Sequence, residues 1–194
     1  MHVAAETSEA TIFWGDIAPS QHVAQFYADD TMLLDTLTGF VGGGLTAGES
    51  AIVIATPEHF RALKQRLQSA NVDLTRAMFE DRYIALEADV ALTSFMVDDW
   101  PDEQLFSSFV TGLLHRASAH NRRVRVFGEM VAVLWARGLE AATVRLEDLW
   151  NQFCKDDSFS LFCAYPKAGF TEDSSRSLDA ICIAHSTVFH GRVI

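Results

Sequence analysis

Short apolar runs alternate with stretches of helical spacing along the whole chain, and this alternation constrains the fold most. The runs are rich in β-branched or aromatic residues and lie at 22–27, 50–55, 83–86, 124–127 and 159–164. Buried runs separated by helices predict parallel strands joined by right-handed crossovers. The sequence therefore predicts a three-layer α/β fold, with a mostly parallel central sheet of about five strands and helices on both faces.

The helical stretches have recognisable starts and stops. The first helix is expected to begin near Asp29, Asp30 or Thr31 and to end at Gly42-Gly43-Gly44. A last helix is expected to carry a single apolar face made of Leu178, Ile181, Cys182, His185, Val188 and Phe189. In residues 1–20 the apolar residues follow neither a helical nor a strand spacing, so this segment is predicted to be an N-terminal arm, with residues 21–190 as one domain.

Composition excludes several classes of protein. The net charge of −11 argues against general binding to a phosphate backbone, so no direct nucleic-acid partner is expected. The three cysteines form no CxxC pair, which favours a reducing compartment. Residues 1–20 lack a basic end followed by an apolar core, so a signal peptide is not expected, and no apolar run approaches the roughly 20 residues that cross a bilayer. We therefore expect a cytoplasmic protein without membrane contact.

The stretch from Arg122 to Trp135 places a carboxylate at a functional position. Glu129 follows the fourth predicted strand, and ligands of open α/β sheets bind beyond the carboxyl ends of the strands. Glu129 could instead pair with a local arginine or cap a turn. The basic cluster of Arg122, Arg123 and Arg125 is expected to form ion pairs, with a patch for a phosphate-bearing ligand or acidic partner as the alternative.

The order of elements resembles the RecA-like ATPases, but the hydrolytic parts are missing. The loop after the first strand reads Tyr27-Ala-Asp-Asp-Thr-Met32, without the glycines and lysine that hold phosphates. Phe127 and Gly128 stand where a metal-binding aspartate would follow the fourth strand. The chain is thus expected to have a degenerate RecA/P-loop-NTPase-like fold, without enzymatic activity, cofactor or metal.

Cysteine and histidine residues leave two chemical alternatives open. Cys182 and His185 share a helix face and could join Cys163 and His22 at a metal ion. Structural zinc sites usually use paired ligands in rigid turns, so we favour buried core cysteines instead. A cysteine nucleophile with His185 or His22 as base would lack a recognisable oxyanion hole.

Aromatic residues near the carboxyl edge could line a ligand pocket. Phe26 and Tyr27 end the first strand, and Trp135 and Trp150 are large enough to form a cavity wall. The alternative is that these side chains pack in the core.

Several motifs together resemble the MEDS family, a sensory domain named from methanogens and methylotrophs. They are His22-Val-Ala-Gln-Phe26-Tyr27, Pro101-Asp102, Gly128-Glu129-Met130-Val131 with Leu134-Trp135, Leu146-Glu147-Asp148-Leu149-Trp150-Asn151, Cys163-Ala164-Tyr165-Pro166 and Ile181-Cys182-Ile183-Ala184-His185-Ser186. The resemblance implies a RecA-like derivative without the phosphate-binding loop. It also implies sensing of small organic or hydrocarbon-like molecules, often in connection with a histidine kinase or a DNA-binding segment.

We therefore predict a non-enzymatic sensory domain that binds a small, largely apolar ligand and signals through a partner chain. The resemblance implies a histidine kinase or transcription regulator as that partner, and homodimerisation is compatible with the sequence. The predicted ligand contacts are Phe26, Tyr27, Glu129 and Trp135, followed by His22, Cys163 and His185. The alternatives are a nucleotide-binding relic without hydrolysis and a ligand-free interaction module.

Overall fold

The computed structural model describes residues 21–156, 159–169 and 175–190. Six parallel strands form the main sheet: β1 (His22–Tyr27), β2 (Ser50–Ala55), β3 (Tyr83–Glu87), β6 (Val124–Gly128), β7 (Phe159–Pro166) and β8 (Thr187–His190). Their order is β3-β2-β6-β7-β1-β8. A separate antiparallel hairpin pairs β4 (Met96–Val97) with β5 (Trp100–Pro101). The predicted three-layer α/β fold is confirmed, whereas the predicted arm lies outside the described residues.

Eight α-helices lie among the described residues: α1 (Asp30–Thr46), α2 (Pro57–Ser69), α3 (Leu74–Phe79), α4 (Ala88–Thr93), α5 (Glu103–Ala117), α6 (Met130–Ala136), α7 (Glu140–Asp156) and α8 (Ser175–Ala184). Side-chain caps fix several starts: Asp29 accepts the Met32 N–H at 2.9 Å, and Asp102 accepts the Leu105 N–H at 2.9 Å. Within the described residues, no helix is both long enough and apolar enough to span a membrane.

The sheet separates two hydrophobic cores because successive strand residues point to opposite faces. Val23, Tyr27 and Phe162 pack with α1, α2 and α3 on one face. Phe26 and Cys163 pack with α4 to α8 on the other face. Residues of the same strand therefore belong to different environments, and this division decides which candidate site residues can meet.

The last predicted helix is wrong beyond Ala184. The chain turns at His185 and Ser186, and β8 then pairs in parallel with β1, aligning Val23 with Thr187. The Ser186 N–H donates to the His22 carbonyl at 2.7 Å, which starts this pairing. Backbone groups along the outer side of β1 thus gain partners, and that requirement outweighs a continued helical spacing. The sheet consequently has six strands.

The glycine triplet does not end α1, as the sequence had suggested, but lies inside its last turns. A Cβ at Gly44 would meet Cδ and Nε of Arg125 at 2.8 Å. Arg125 is itself only 8% exposed and donates to Glu49 at 2.5 Å and to the Phe40 carbonyl at 3.0 Å. The glycine leaves room for a buried guanidinium between α1 and the sheet.

The other two arginines of the basic cluster also have partners within the protein. Arg123 lies 3.6 Å from the Glu49 carboxylate. Arg122 donates to the carbonyls of Ala117 and Glu80. Arg123 and Arg125 thus form the expected ion pairs with Glu49, whereas Arg122 bonds two backbone carbonyls just before β6.

Replacing Gly44 by alanine should destabilise the protein by about 1–3 kcal/mol, because the new methyl group must displace an anchored arginine. Gly112 in α5 provides the matched control, since nothing lies within 4 Å of a Cβ built there. Gly112→Ala should be neutral or stabilising by up to about 1 kcal/mol, as expected for glycine to alanine inside a helix. Urea unfolding of both variants measures the difference, and a Gly44→Ala protein as stable as wild type would contradict the packing argument.

Candidate functional site

Glu129 joins two strands at the carboxyl edge of the sheet. Its N–H donates to the Ile54 carbonyl at 2.9 Å, which continues the pairing of β6 with β2. Its carboxylate is 3% exposed and accepts the Thr56 N–H at 2.8 Å through Oε2. The other oxygen, Oε1, lies 2.6 Å from Nδ1 of His59. Among the described residues, the Glu129 carboxylate therefore bonds no arginine, and it does not cap α6, although the Glu129 carbonyl accepts the Val133 N–H at 3.1 Å.

His59 extends this contact to the loop after β1. Thr56 caps α2 and Pro57 occupies its first turn, so His59 is held at the helix start beside the strand ends. The Nε2 atom of His59 lies 3.3 Å from Oδ1 of Asp30. We call Asp30, Thr56, His59 and Glu129 the edge network, because these residues connect the loops that follow β1, β2 and β6.

Electrostatics favour a protonated imidazole in the edge network. The hydrogen bond with Glu129 raises the pKa of His59 above its ordinary value of 6.5, although burial opposes this shift. The Tyr27 ring meets the His59 ring edge-on, with centroids 6.4 Å apart. Burial and the charge of Glu129 raise the pKa of Tyr27, so its hydroxyl stays protonated.

The loop between β1 and α1 differs from a phosphate-binding loop in its chemistry. The side chain of Asp29 accepts the Met32 N–H, and Asp30 contacts His59. In a phosphate-binding loop, glycine N–H groups and a lysine would surround the phosphates. Here the first turn of α1 is capped by a carboxylate, which would repel a triphosphate.

A cavity of about 570 Å³ lies beside α4, the β4–β5 hairpin and α6. It is lined by Asp89, Leu92, Thr93, Met96, Asp98, Asp99, Leu134, Arg137 and Leu139. Its size falls within the usual range of small-molecule sites. Helix α6 starts directly after Glu129 and ends before Arg137, which pairs with Asp89. The cavity and the edge network thus share one helix.

The predicted ligand contacts fall into separate places. Tyr27 and Glu129 meet at the edge network, whereas Phe26 lies on the other face and stacks on Tyr165 with centroids 5.5 Å apart. Trp135 is 6% exposed and packs in the core on the α6 side. None of the seven predicted residues lines the cavity, and their contact with a ligand stays a prediction.

The remaining predicted residues, His22, Cys163 and His185, come together around Glu147. The Nε2 atom of His22 lies 3.2 Å from Oε2 of Glu147 and 3.4 Å from Sγ of Cys163. The Nε2 atom of His185 lies 3.5 Å from Oε1 of Glu147. All four residues are buried, and we call them the buried cluster. Cys182, which the sequence had grouped with them, is outside it.

Glu147 controls the charges in the buried cluster. Burial opposes its ionisation, but His185, His22 and the hydroxyl donated by Tyr165 outweigh burial and lower the pKa of Glu147 to about 2. Burial and the Glu147 charge raise the pKa of the Cys163 thiol well above its usual 9.0. Burial also lowers the pKa of His185. A carboxylate thus faces a protonated thiol and two imidazoles in the interior.

Sequence reasoning missed His59 and Glu147, the partners at the centre of the two groups. His59 had a signal, because Thr56-Pro57 predicts a helix start and places the next residues at the carboxyl edge. Glu147 is fully buried on the same side of α7 as Thr143 and Trp150, four residues before and three after it. The signal available in the sequence was a glutamate spaced three or four residues from side chains that the helix buries.

The sequence model of MEDS, described as the methanogen/methylotroph, DcmR sensory domain, matches residues 21–185. This chain belongs to the MEDS family. The match covers both the edge network and the buried cluster. Membership of a family of sensory domains indicates a sensory or signalling role, and the resemblance drawn from the sequence motifs is confirmed. No curated protein matches the chain significantly.

Solved structures show the same fold. A KaiC-like protein from the hyperthermophilic archaeon Pyrococcus horikoshii OT3 aligns with a TM-score of 0.59 at 10% identity, over 89% of this chain and 72% of that one. A second protein from Pyrococcus horikoshii OT3 aligns with a TM-score of 0.55 at 12% identity, over 92% of this chain and 85% of that one. The MEDS domain therefore has a RecA-like fold, as the order of elements predicted.

Removal of the Glu129 charge should destabilise the protein most at low pH. A raised His59 pKa contributes stability that is fully present below about 6.5 and is lost as the pH rises through the folded-state value. Glu129→Gln should therefore cost about 1–3 kcal/mol near pH 6, and less at higher pH.

Chemical unfolding from about pH 5.5 to about pH 9 provides the measurement. Glu58→Gln is the matched control, because Glu58 is exposed on the same helical turn as His59. It should behave as wild type throughout. An equal cost of Glu129→Gln at every pH would show that His59 does not bear the proton.

Proposed function

We propose that this MEDS domain is a non-enzymatic sensor that binds a small molecule in the cavity beside α6 and signals through a partner protein. The observation that carries the proposal is the position of α6. One end of this helix borders the cavity through Leu134 and Arg137, and the other end begins at Glu129 of the edge network. A ligand that shifts α6 would alter contacts among three strand ends.

The lining of the cavity offers both apolar and charged surface to a ligand. Leu92, Met96, Leu134 and Leu139 supply apolar surface on the cavity wall. The carboxylates of Asp98 and Asp99 lie at the turn of the β4–β5 hairpin, where both residues have positive φ angles. This combination fits a small hydrocarbon-like molecule that carries a hydrogen-bond donor or a positive charge, because carboxylates accept hydrogen bonds and attract cations.

The chemistry of both polar groups supports a function without catalysis. Each carboxylate oxygen of Glu129 already has a partner in Thr56 or His59. Cys163 has no exposed surface and its thiol resists ionisation, whereas a cysteine nucleophile needs a thiolate within reach of substrate. These groups hold the fold together and are not poised to react.

The output of the sensor would pass through the surface next to the cavity. Val97 and Trp100 form a cross-strand pair on the hairpin and are 49% and 48% exposed. Ligand binding to one of two hairpin arrangements would change the apolar surface that a histidine kinase or transcription regulator contacts. A ligand shifts such an equilibrium only by its difference in affinity for the two states.

Filling the cavity should abolish ligand-dependent stabilisation. Thr93 lines the cavity at an exposed position, so Thr93→Trp adds bulk there without disturbing the core. Thermal unfolding is followed with a panel of small alcohols, alkylamines and ketones, and with Mg-ATP. At least one organic probe should raise the Tm of wild type and not that of Thr93→Trp, whereas Mg-ATP should have no effect.

Thr111→Trp is the matched control, because Thr111 is exposed on α5 and does not line the cavity. It should respond to the same probe as wild type does. Stabilisation by Mg-ATP would instead favour a nucleotide-binding relic. A panel without any effect, together with native mass spectrometry that finds no retained small molecule, would favour an interaction module.

A further inference from the structure

We propose that the buried cluster of His22, Glu147, Cys163 and His185 binds one divalent metal ion of the zinc class. The sequence alone had considered Cys163, Cys182, His185 and His22 as ligands and had favoured core cysteines without a metal. The fold leaves Cys182 aside and brings Glu147 of α7 to the other three, which lie on β7, in the turn after α8 and on β1. The inference does not depend on the cavity or on the edge network.

The distances within the buried cluster match those between ligands of a tetrahedral ion. The Nε2 atom of His22 lies 3.2 Å from Oε2 of Glu147 and 3.4 Å from Sγ of Cys163. Glu147 lies 3.5 Å from Nε2 of His185 through Oε1 and 3.8 Å from Sγ of Cys163 through Oε2. Bond lengths typical of zinc place nitrogen, oxygen and sulfur ligands roughly 3.3–3.7 Å apart around a tetrahedron. One ligand atom from each residue lies within 4.8 Å of the other three. The more distant ligand atoms must therefore move inward when an ion binds.

His185 is oriented as a metal ligand. Its Nδ1 lies 2.6 Å from the Ile181 carbonyl, and a carbonyl only accepts, so Nδ1 carries the proton. In the neutral ring, Nε2 then presents a lone pair to Oε1 of Glu147, and this buried atom has no hydrogen-bond donor among the described residues. Two acceptors that face each other repel, whereas a cation bound by Nε2 and by the Glu147 carboxylate would offset this repulsion. A backbone carbonyl on the distal nitrogen is a frequent second-shell partner of metal-bound histidine.

Tyr165 supplies a second outer contact. Its hydroxyl donates to Oε1 of Glu147, which leaves Oε2 directed at His22 and Cys163. Hydrogen bonds of this kind orient a ligating carboxylate. His22 differs from His185, because its Nδ1 has no partner among the described residues. His185 and Glu147 are therefore the best-oriented members of the site.

Charge balance also favours a divalent ion. The Cys163 thiol would release its proton to solvent as the sulfur–metal bond forms, and no oxidant or reductant is required. One thiolate and one carboxylate then neutralise a charge of +2, so the buried site as a whole carries no net charge. Such neutrality matters in an interior where an unpaired charge is strongly unfavourable.

The ligand set selects the class of ion and its role. Thiolate and imidazole donors favour zinc over magnesium or calcium, which prefer oxygen ligands. Four protein ligands would leave no open position for a substrate, so the ion would be structural. It would fasten the turn between α8 and β8 to β1, α7 and β7. Because the site is closed, the chain must acquire the ion during folding.

Refolding with cobalt(II) tests the proposal, since this ion replaces zinc and reports its ligands by absorption. The full chain is unfolded with chelator, refolded with cobalt(II) or zinc(II), and freed of excess metal. Wild type should retain one ion per chain and show tetrahedral cobalt bands with a thiolate-to-cobalt charge-transfer band. Cys163→Ser should lose the charge-transfer band, whereas Cys182→Ser should keep it, because Cys182 lies outside the cluster.

A second variant separates metal affinity from folding. His185→Gln should weaken zinc(II) binding at least tenfold in competition with a chromophoric chelator, with circular dichroism as the check on folding. Glu129→Gln should bind cobalt(II) as wild type does, so failure of the sensory proposal would not be mistaken for failure of this one. Wild type without stoichiometric cobalt(II), or a charge-transfer band that depends on Cys182, would overturn the proposal.

Discussion

The hydrogen bond between Glu129 and His59 is the interaction on which the carboxyl edge of the sheet depends. Parallel strands bring their ends to one edge, and each chain segment then leaves in a different helix. Glu129 follows β6, His59 lies in the first turn of α2, and Asp30 begins α1. Their contacts connect three departing segments at the carboxyl edge. This edge is thus held together by contacts among side chains of the protein itself.

Two glutamates enter the protein interior, and the fold accommodates them differently. Glu129 lies near the rim, where a protonated imidazole and a backbone N–H match its charge. Glu147 is fully buried on the opposite face and contacts two imidazoles, a thiol and a phenol. A buried carboxylate without adequate partners would destabilise the folded state by several kcal/mol. The partners of Glu129 and Glu147 are therefore needed for the stability of the fold, independently of any function.

Local patterns in the sequence were sufficient for five strands of the main sheet, the cap at Thr56 and the position of Glu129. They failed where a distant partner decided the outcome. Gly44 was expected to end a helix, but it lies inside α1, where the absence of a side chain leaves room for Arg125 of β6. The segment 187–190 kept a helical spacing, yet pairing with β1 made it a strand. The convergence of His22, Cys163 and His185 follows from the order β7-β1-β8, which no local spacing encodes.

A double-mutant cycle on Glu129 and His59 tests the central claim most directly. Glu129→Gln, His59→Gln and the double variant are unfolded in urea at about pH 6, where the imidazole carries its proton. If the two side chains hold the edge together as a charged pair, their coupling energy should be about 1–3 kcal/mol. Single-variant costs that add to within about 0.3 kcal/mol would contradict the account, because the two side chains would then contribute independently.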